Sequence, residues 1–305
     1  GMKIFDAHCD VLMKMLLEPK IDFIQASSLQ VTKAGMVKAG IKVQVFAIYV
    51  PEAIHPSMRF EAALTMIELF FERIIKAAGL TFIQQEEDLF SLKNGEIGAV
   101  LALEGCDCIE QDLLRLRTLL RLGVRSVGLT WNHANALADG VLEERNGGLT
   151  RLGKQAVSLL SERNCWCDVS HLSEAGFWDC LTLHNKIIAS HSNCQSIKPH
   201  PRNLTDEQIQ ALIHHGSPIG ITFVPEFLTN RPNARISDVI QHVEHICSLG
   251  GVKHIGFGSD FDGVDNTVIG LERIESYENL INELLRHYAE EDVQGFLYKN
   301  FTNRF

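Results

Sequence analysis

The sequence predicts an α/β fold, a (β/α)8 (TIM) barrel built by residues 1–305 as a single domain. Three observations predict it. Eight short apolar runs alternate with longer stretches of helical spacing. Several of these runs are hydrophobic almost without interruption, which suits parallel strands buried on both faces. Carboxylate or imidazole side chains end five of the runs, and in a barrel of parallel strands those ends share one rim. A doubly wound open sheet would show the same alternation. It usually has fewer strands, however, and no glycine-rich phosphate loop follows the first run here.

The runs, in order, are KIFDAH (3–8), KVQVFAIYV (42–50), GAVLALE (98–104), VRSVGLTW (124–131), CWCDVSH (165–171), KIIASH (186–191), PIGITFV (218–224) and HIGFGSD (254–260). Amphipathic stretches lie between them. In SMRFEAALTMIELFFERIIKAAG (57–79), Ala62, Ala63, Met66, Ile67, Phe70 and Ile74 fall on one helical stripe. Gly79 follows the last turn, where a left-handed cap is expected, and DLLRLRTLLRLG ends the same way at Gly123. TDEQIQALIHHG opens with Thr205, carries Gln208 three residues on as a capping box, and stops at Gly216. SDVIQHVEHICSLGG takes Ser237 as its N-cap, and SYENLINELLRHY (276–288) adds a further helix. No Pro/Gly/Ser-rich linker and no sequence repeat divides the chain.

Composition narrows the function. The chain is 46% hydrophobic and 22% charged, ordinary globular values. A net charge of -10 argues against a nucleic-acid partner, because phosphate binding needs clustered Lys and Arg. No apolar run reaches the length of about 18 residues that a membrane span needs. The N-terminus lacks the basic region and apolar stretch of a secretory signal, so a cytoplasmic location is expected. Four of the eight cysteines form C-x-C pairs in EGCDC and CWC, a spacing poorly placed for bridging. They are expected to be buried, reduced thiols. Zinc-ribbon spacing is absent.

The first run ends in Asp6, His8 and Asp10, the third in Glu104, the fifth in His171, the sixth in His191 and the eighth in Asp260. His8 and Asp10 are two apart, so on a strand they point to one side. Mixed nitrogen and oxygen donors suit zinc or a similar divalent ion. The set is too large for one tetrahedral ion with an open position and suits two ions sharing a carboxylate, with Glu104 as the bridge. A lone histidine ending a strand is more often a satisfied polar residue than a ligand. Five such ends on one rim are hard to ascribe to chance. The histidines at 55, 184, 200, 214, 215, 242, 245, 254 and 287 are read as surface or capping residues.

These residues resemble the membrane dipeptidase (renal dipeptidase-like) family of zinc peptidases, among the amidohydrolase-type barrels. The resemblance spans nearly the whole chain through DAHCD, LALEG, DVSHLSE, ASHSN, HPRNLTD, GFGSDFDGV and NFTNRF. Many amidohydrolase relatives carry H-x-H on strand one and a carbamylated lysine on strand four. Here the pair is H-x-D and VRSVGLTW has no lysine, which points to the dipeptidase branch. The resemblance implies two Zn2+ (or similar divalent cations) per chain, one held by His8 and Asp10 and the other by His171 and His191, with Glu104 bridging. It implies that Arg202 binds the substrate's terminal carboxylate, a role that a guanidinium fork fits. Asp260 would shuttle the proton. Asp262 is read as loop structure, and Asp6 as a carboxylate that orients a ligand histidine.

One departure stands out. The animal enzymes place a substrate-contacting histidine directly after LT on strand four, where this chain has Trp131. His133, two residues later, is the candidate to replace it. The implied activity is hydrolysis of short dipeptides, including those with a D-residue second, by a metal-bridging hydroxide. A homodimer is expected from the resemblance alone. Two rivals remain open: another binuclear hydrolase on the same barrel (lactonase, deaminase or phosphoesterase), and a catalytically silent peptide-binding barrel. Arg202 speaks against the first and the complete ligand set against the second. Segment 139–149, DGVLEERNGGL, is read as either a lid or a dimer contact.

Overall fold

The computed structural model describes residues 1–305 throughout. Nine strands form one sheet: β1 (Ile4–Cys9), β2 (Ile41–Ile48), β3 (Thr81–Phe82), β4 (Gly98–Glu104), β5 (Val124–Gly128), β6 (Trp166–Asp168), β7 (Ile187–Ile188), β8 (Ile219–Ile221) and β9 (Ile255–Phe257). The order is β7-β6-β5-β4-β2-β1-β9-β8, with every pair parallel. A parallel bridge between Ala189 and Ile219 joins the two ends, so eight strands close into the expected barrel. The ninth, β3, is too short to read from sequence. It pairs only with Gly98 and Ala99 of β4, below the point where β5 joins at Leu101.

Inside the barrel, residues two apart share a face. Phe5 and Ala7 of β1, Val43 and Val45 of β2, and Val100 and Ala102 of β4 form an inner cluster with Phe301 and Phe305. Phe301 stacks on Phe5 with ring centroids 5.0 Å apart, and Trp166 meets both Phe301 and Phe305 edge-on. A Cβ on Gly256 would lie 2.2 Å from the Phe301 ring, so the aromatic plug needs glycine there. The outward-facing side chains pack with the helices in a larger cluster of 72 residues.

The helix signals are found with one exception. Thr205 and Gln208 form the capping box, and Gly216, Gly79 and Gly123 take positive φ. The stretch from 57 forms a helix over Arg59–Leu69 that widens into π-type turns over Phe70–Ala77. Ser237 is not an N-cap. The N-cap is Arg235, two residues earlier, and the helix spans Ile236–Ser248, because Asp238 Oδ2 accepts the Arg235 N–H at 2.8 Å. All eight cysteines are free and seven are buried. No helix is long and apolar enough to cross a membrane.

Candidate metal centre

The strands deliver their polar residues to the rim in different ways. In β4 the inward column Val100, Ala102 simply continues to Glu104. In β1 the same alternation would turn Cys9 inward after Phe5 and Ala7. Instead the ladder to β2 shifts register between Asp6 and Cys9, and Cys9 packs in the outer core. His8 and Asp10 thereby turn to the rim, as an irregular strand end allows. The runs ending in His171, His191 and Asp260 are shorter as strands than their sequences suggest. The strands end at Asp168, Ile188 and Phe257, and the three residues stand on the segments that follow. His171, Asp260 and Asp262 take φ values of 74°, 63° and 67°, a left-handed conformation no strand holds. Such backbone costs free energy and concentrates at functional sites.

Glu104 is the centre of the cluster. Its Oε2 lies 3.0 Å from His171 Nε2, 3.3 Å from His191 Nε2 and 3.5 Å from His8 Nε2. His8 Nε2 is also 3.1 Å from Asp10 Oδ2 and 3.4 Å from Asp260 Oδ1. The His8 and His191 rings stack with centroids 3.8 Å apart. Two groups thus have metal-ligand spacing, His8 with Glu104 and His191, and His8 with Asp10 and Asp260.

Neighbouring side chains set the tautomers. Asn132 Oδ1 accepts from His171 Nδ1 at 2.8 Å. His191 Nδ1 lies 2.7 Å from Ser190 Oγ, which donates onward to Asp168 Oδ2. Both imidazoles therefore carry their proton on Nδ1 and turn bare Nε2 lone pairs to the centre. The two Nε2 atoms are 3.1 Å apart, with Glu104 Oε2 beside them. Three acceptors converge there with no donor among them, an arrangement that a cation satisfies. Asp10 Oδ1 is likewise buried without a hydrogen-bond partner. A Cβ on Gly263 would fall 2.3 Å from both Asp10 Oδ2 and Asp260 Oδ1, so glycine keeps the space between these carboxylates clear. The donor set fits divalent cations.

The electrostatics agree. Burial pushes Glu104 up to about 7, with His8 pulling the other way. Burial and the adjacent Asp10 carboxylate raise Asp260 well above the carboxylate range. Burial works against charge on His8, but Glu104, Asp10 and Asp260 outweigh it and hold its pKa well above the ordinary value. Burial drives His171 and His191 well below theirs, keeping them neutral. The cluster is rich in negative charge around one imidazolium, the environment a divalent cation relieves.

Arg202 faces this cluster. It is 5% exposed, its Nη2 donates to the His191 carbonyl at 2.8 Å, and its Nε has no partner. The cavity above Glu104 measures about 180 Å³ and is lined by Arg202, Asp260, Tyr49, Trp131 and Asn132 among others. His133 is not brought into it. Its side chain is half exposed and its Nδ1 lies 3.6 Å from Glu143 Oε1, because Asn132 is the residue of that loop that turns toward His171.

Asp6 orients no histidine. Its carboxylate accepts from Gln44 Nε2, Ser259 N and Oγ, and Tyr277 Oη, on the outer side of β1. Asp262 ties the loop before residue 32 to the rim through Gln30 N, Val31 N and Lys14 Nζ. Of the histidines read as surface or capping residues, His184 caps the helix Glu174–Leu183 and is buried, its Nε2 meeting the Cys165 carbonyl, while His242 is buried inside the helix Ile236–Ser248 and is neither. Asn132, Asp168 and Ser190, which bond to His171 and His191 directly or through one another, are residues that the sequence reading did not single out. The local hints were slight: Ser190 directly precedes His191 in ASH, Asp168 stands three residues before His171 in DVSH, and Asn132 has no candidate ligand beside it.

The family model for membrane dipeptidases, peptidase family M19, matches residues 1–303. Dipeptidase verJ of Clonostachys rogersoniana is 32% identical over 258 residues, 83% of this chain and 66% of its own. An uncharacterized dipeptidase of Schizosaccharomyces pombe is 27% identical over 327 residues, 98% of this chain and 78% of its own. Among solved structures, dipeptidase AC, a metallopeptidase of family M19, is similar with a TM-score of 0.92 and 26% identity over 99% of this chain and 97% of its own. A Rhodobacter sphaeroides metallopeptidase, solved with a phosphinate mimic of the dipeptide L-Ala-D-Ala, shares the fold at a TM-score of 0.91 and 24% identity over 99% and 98% of the two chains. The match runs the length of the barrel whose rim gathers these donors, and the chain belongs to the membrane dipeptidase family, peptidase family M19, as a metal-dependent hydrolase of the dipeptidase type.

Proposed function

We propose that the chain, working as one domain over residues 1–305, is a zinc dipeptidase with two ions per site. His8 and Asp10 would hold one ion, His171 and His191 the other, and Glu104 would bridge them. The observation that carries this reading is the position of Glu104 Oε2, within 3.5 Å of all three imidazole Nε2 atoms. Ions bound there supply Lewis acidity, lowering the pKa of a water and polarising the peptide carbonyl. The protein's own groups do the rest. Arg202 takes the terminal carboxylate with the Nε that lacks a protein partner, fixing how far the scissile bond lies from Glu104. Asp260 faces the same cavity, where it can receive the water's proton and pass it to the leaving amine. The clamp restricts substrates to very short peptides. The phosphinate mimic of L-Ala-D-Ala bound by the Rhodobacter sphaeroides enzyme supports a D-residue at the second position. Eight free cysteines support a reducing compartment such as the cytoplasm.

Hydrolysis of L-Ala-L-Ala and L-Ala-D-Ala by zinc-loaded protein, beside Glu104→Gln, tests the proposal together with metal content per chain. The expected result is turnover with two ions per chain, lost in the variant. One ion per chain would refute the bridged pair. Two ions without turnover of either dipeptide would move the substrate to another amide, a lactone or a phosphoester.

A further inference from the structure

A second cavity, of about 340 Å³, adjoins the metal centre, and Arg202 and His171 line both. One wall comes from segment 139–149, which the mechanism leaves unused. That segment is tied to itself and to its neighbours by hydrogen bonds. The Asp139 carboxylate takes Arg145 Nε and Nη2 at 2.7 Å each and the Gly147 N–H at 2.8 Å. Ser173 Oγ donates to the Gly147 carbonyl, Leu149 N–H to Asp179, and Ala175 N–H to Asn146 Oδ1. The chamber is therefore preformed.

Its chemistry differs from that of the catalytic cavity. Arg202 stands at the junction, and the other formally charged residues lining the chamber are Glu143 and Glu174. No lysine and no second arginine lines it, and only four of its 16 lining residues are hydrophobic. Glu143 is steadied through Oε1, which accepts the Ala134 N–H at 3.0 Å, and Oε2 remains for a ligand. A carboxylate held by the unpartnered Arg202 Nε places the α-carbon of that residue at the junction. The side chain on that carbon is the part of a dipeptide nearest the chamber. An apolar side chain would find little to bury against, an acidic one would meet two carboxylates, and a basic one would be paired.

We propose that this chamber is the subsite for the side chain of the dipeptide's C-terminal residue and that Glu143 and Glu174 select a basic side chain there. The inference rests on the dipeptidase reading above and deepens it. The test is kcat/KM of the zinc-loaded full chain on Ala-Lys, Ala-Leu and Ala-Glu, each with the second residue L and D. Ala-Lys of at least one hand is expected to exceed Ala-Glu by tenfold or more. Glu143→Gln with Glu174→Gln is expected to shrink that Lys-to-Glu ratio about tenfold, and Glu143→Lys to reverse it. Gln keeps the Oε1 acceptor for Ala134, so the first variant leaves the loop's bonding intact. Ala-Leu or Ala-Glu turned over as well as Ala-Lys, or a ratio unmoved by either variant, would overturn the subsite alone. Turnover of no dipeptide would remove it together with the activity on which it rests.

Discussion

The floor of the barrel and its rim are built from the same strands by opposite rules. At the floor, Phe5, Trp166, Phe301 and Phe305 stack into a dry plug, and Gly256 gives way for a ring. At the rim, three carboxylates and three imidazoles crowd together, two of the six on left-handed backbone, with polar atoms left without partners. The change from one regime to the other takes a single step along a strand, from Ala102 to Glu104 or from Ala7 to His8. The floor can supply stability because burial of aromatic surface is worth several kcal/mol. The rim spends part of it to hold a site whose groups repel one another until cations arrive. Neutralising a rim residue should therefore cost function and little stability, whereas trimming the floor should do the reverse.

The sharpest break in that comparison comes at Glu104. Glu104→Gln is expected to lower kcat/KM on L-Ala-D-Ala by roughly 10^4-fold, about 5.4 kcal/mol of transition-state stabilisation. Thermal unfolding of the metal-free variant should occur at or above the wild-type temperature, because a buried carboxylate has been replaced by a neutral amide. A variant that melts well below the wild type would mean that Glu104 is a structural residue. Phe301→Ala is the converse. It should cost about 3–5 kcal/mol of unfolding free energy in urea, while metal content per folded chain stays that of the wild type. Equal loss of metal and stability would show that floor and rim are not separable.

The same contrast explains what was legible in the sequence. The inward column of β4 keeps the period of two up to Glu104, and the H-x-D spacing at the end of the first strand keeps it locally, so both stood out in one dimension. Arg202 was legible only through its motif, HPRNLTD. The tuning of the site was not. His171 meets Asn132 across 39 positions, and the bond from Ser190 to Asp168 spans 22, so neither leaves a periodic trace. Whether His133 or Asn132 turned inward depended on the path of the irregular loop after β5, and the left-handed backbone at His171 and Asp260 belongs to two further irregular loops, after β6 and β9.

Asn132 gives a smaller effect that refines the picture of the rim. Asn132→Ala removes the acceptor that keeps the His171 proton on Nδ1, and zinc affinity measured by chelator competition should fall by about 10–100-fold. Asn132→Asp retains an acceptor at that place and should recover most of the loss. Loss of affinity in both variants alike would assign Asn132 to packing instead.

The smallest expected effect concerns a histidine that belongs to neither end. His242 is fully buried, accepts the Cys194 N–H on Nδ1 and donates from Nε2 to the Leu228 carbonyl. It thereby anchors the backbone three residues after His191. Burial pushes its pKa down to about 4, so the folded protein keeps it neutral where an unfolded chain, titrating near 6.5, takes up a proton. The sign follows from that difference. Its contribution is fully present above about pH 6.5 and is lost as pH falls toward 4, amounting to about 2 kcal/mol between pH 7 and pH 5. The histidines of the rim also titrate when metal is absent, so a single pH profile cannot isolate this one. Urea unfolding of metal-free wild type and His242→Gln at both pH values can, because the rim contributes equally to the two proteins and cancels. The wild type should lose about 2 kcal/mol more than the variant over that interval. Parallel losses would mean that His242 takes up its proton in the folded state, and that the loop carrying His191 relaxes around the charge at no cost.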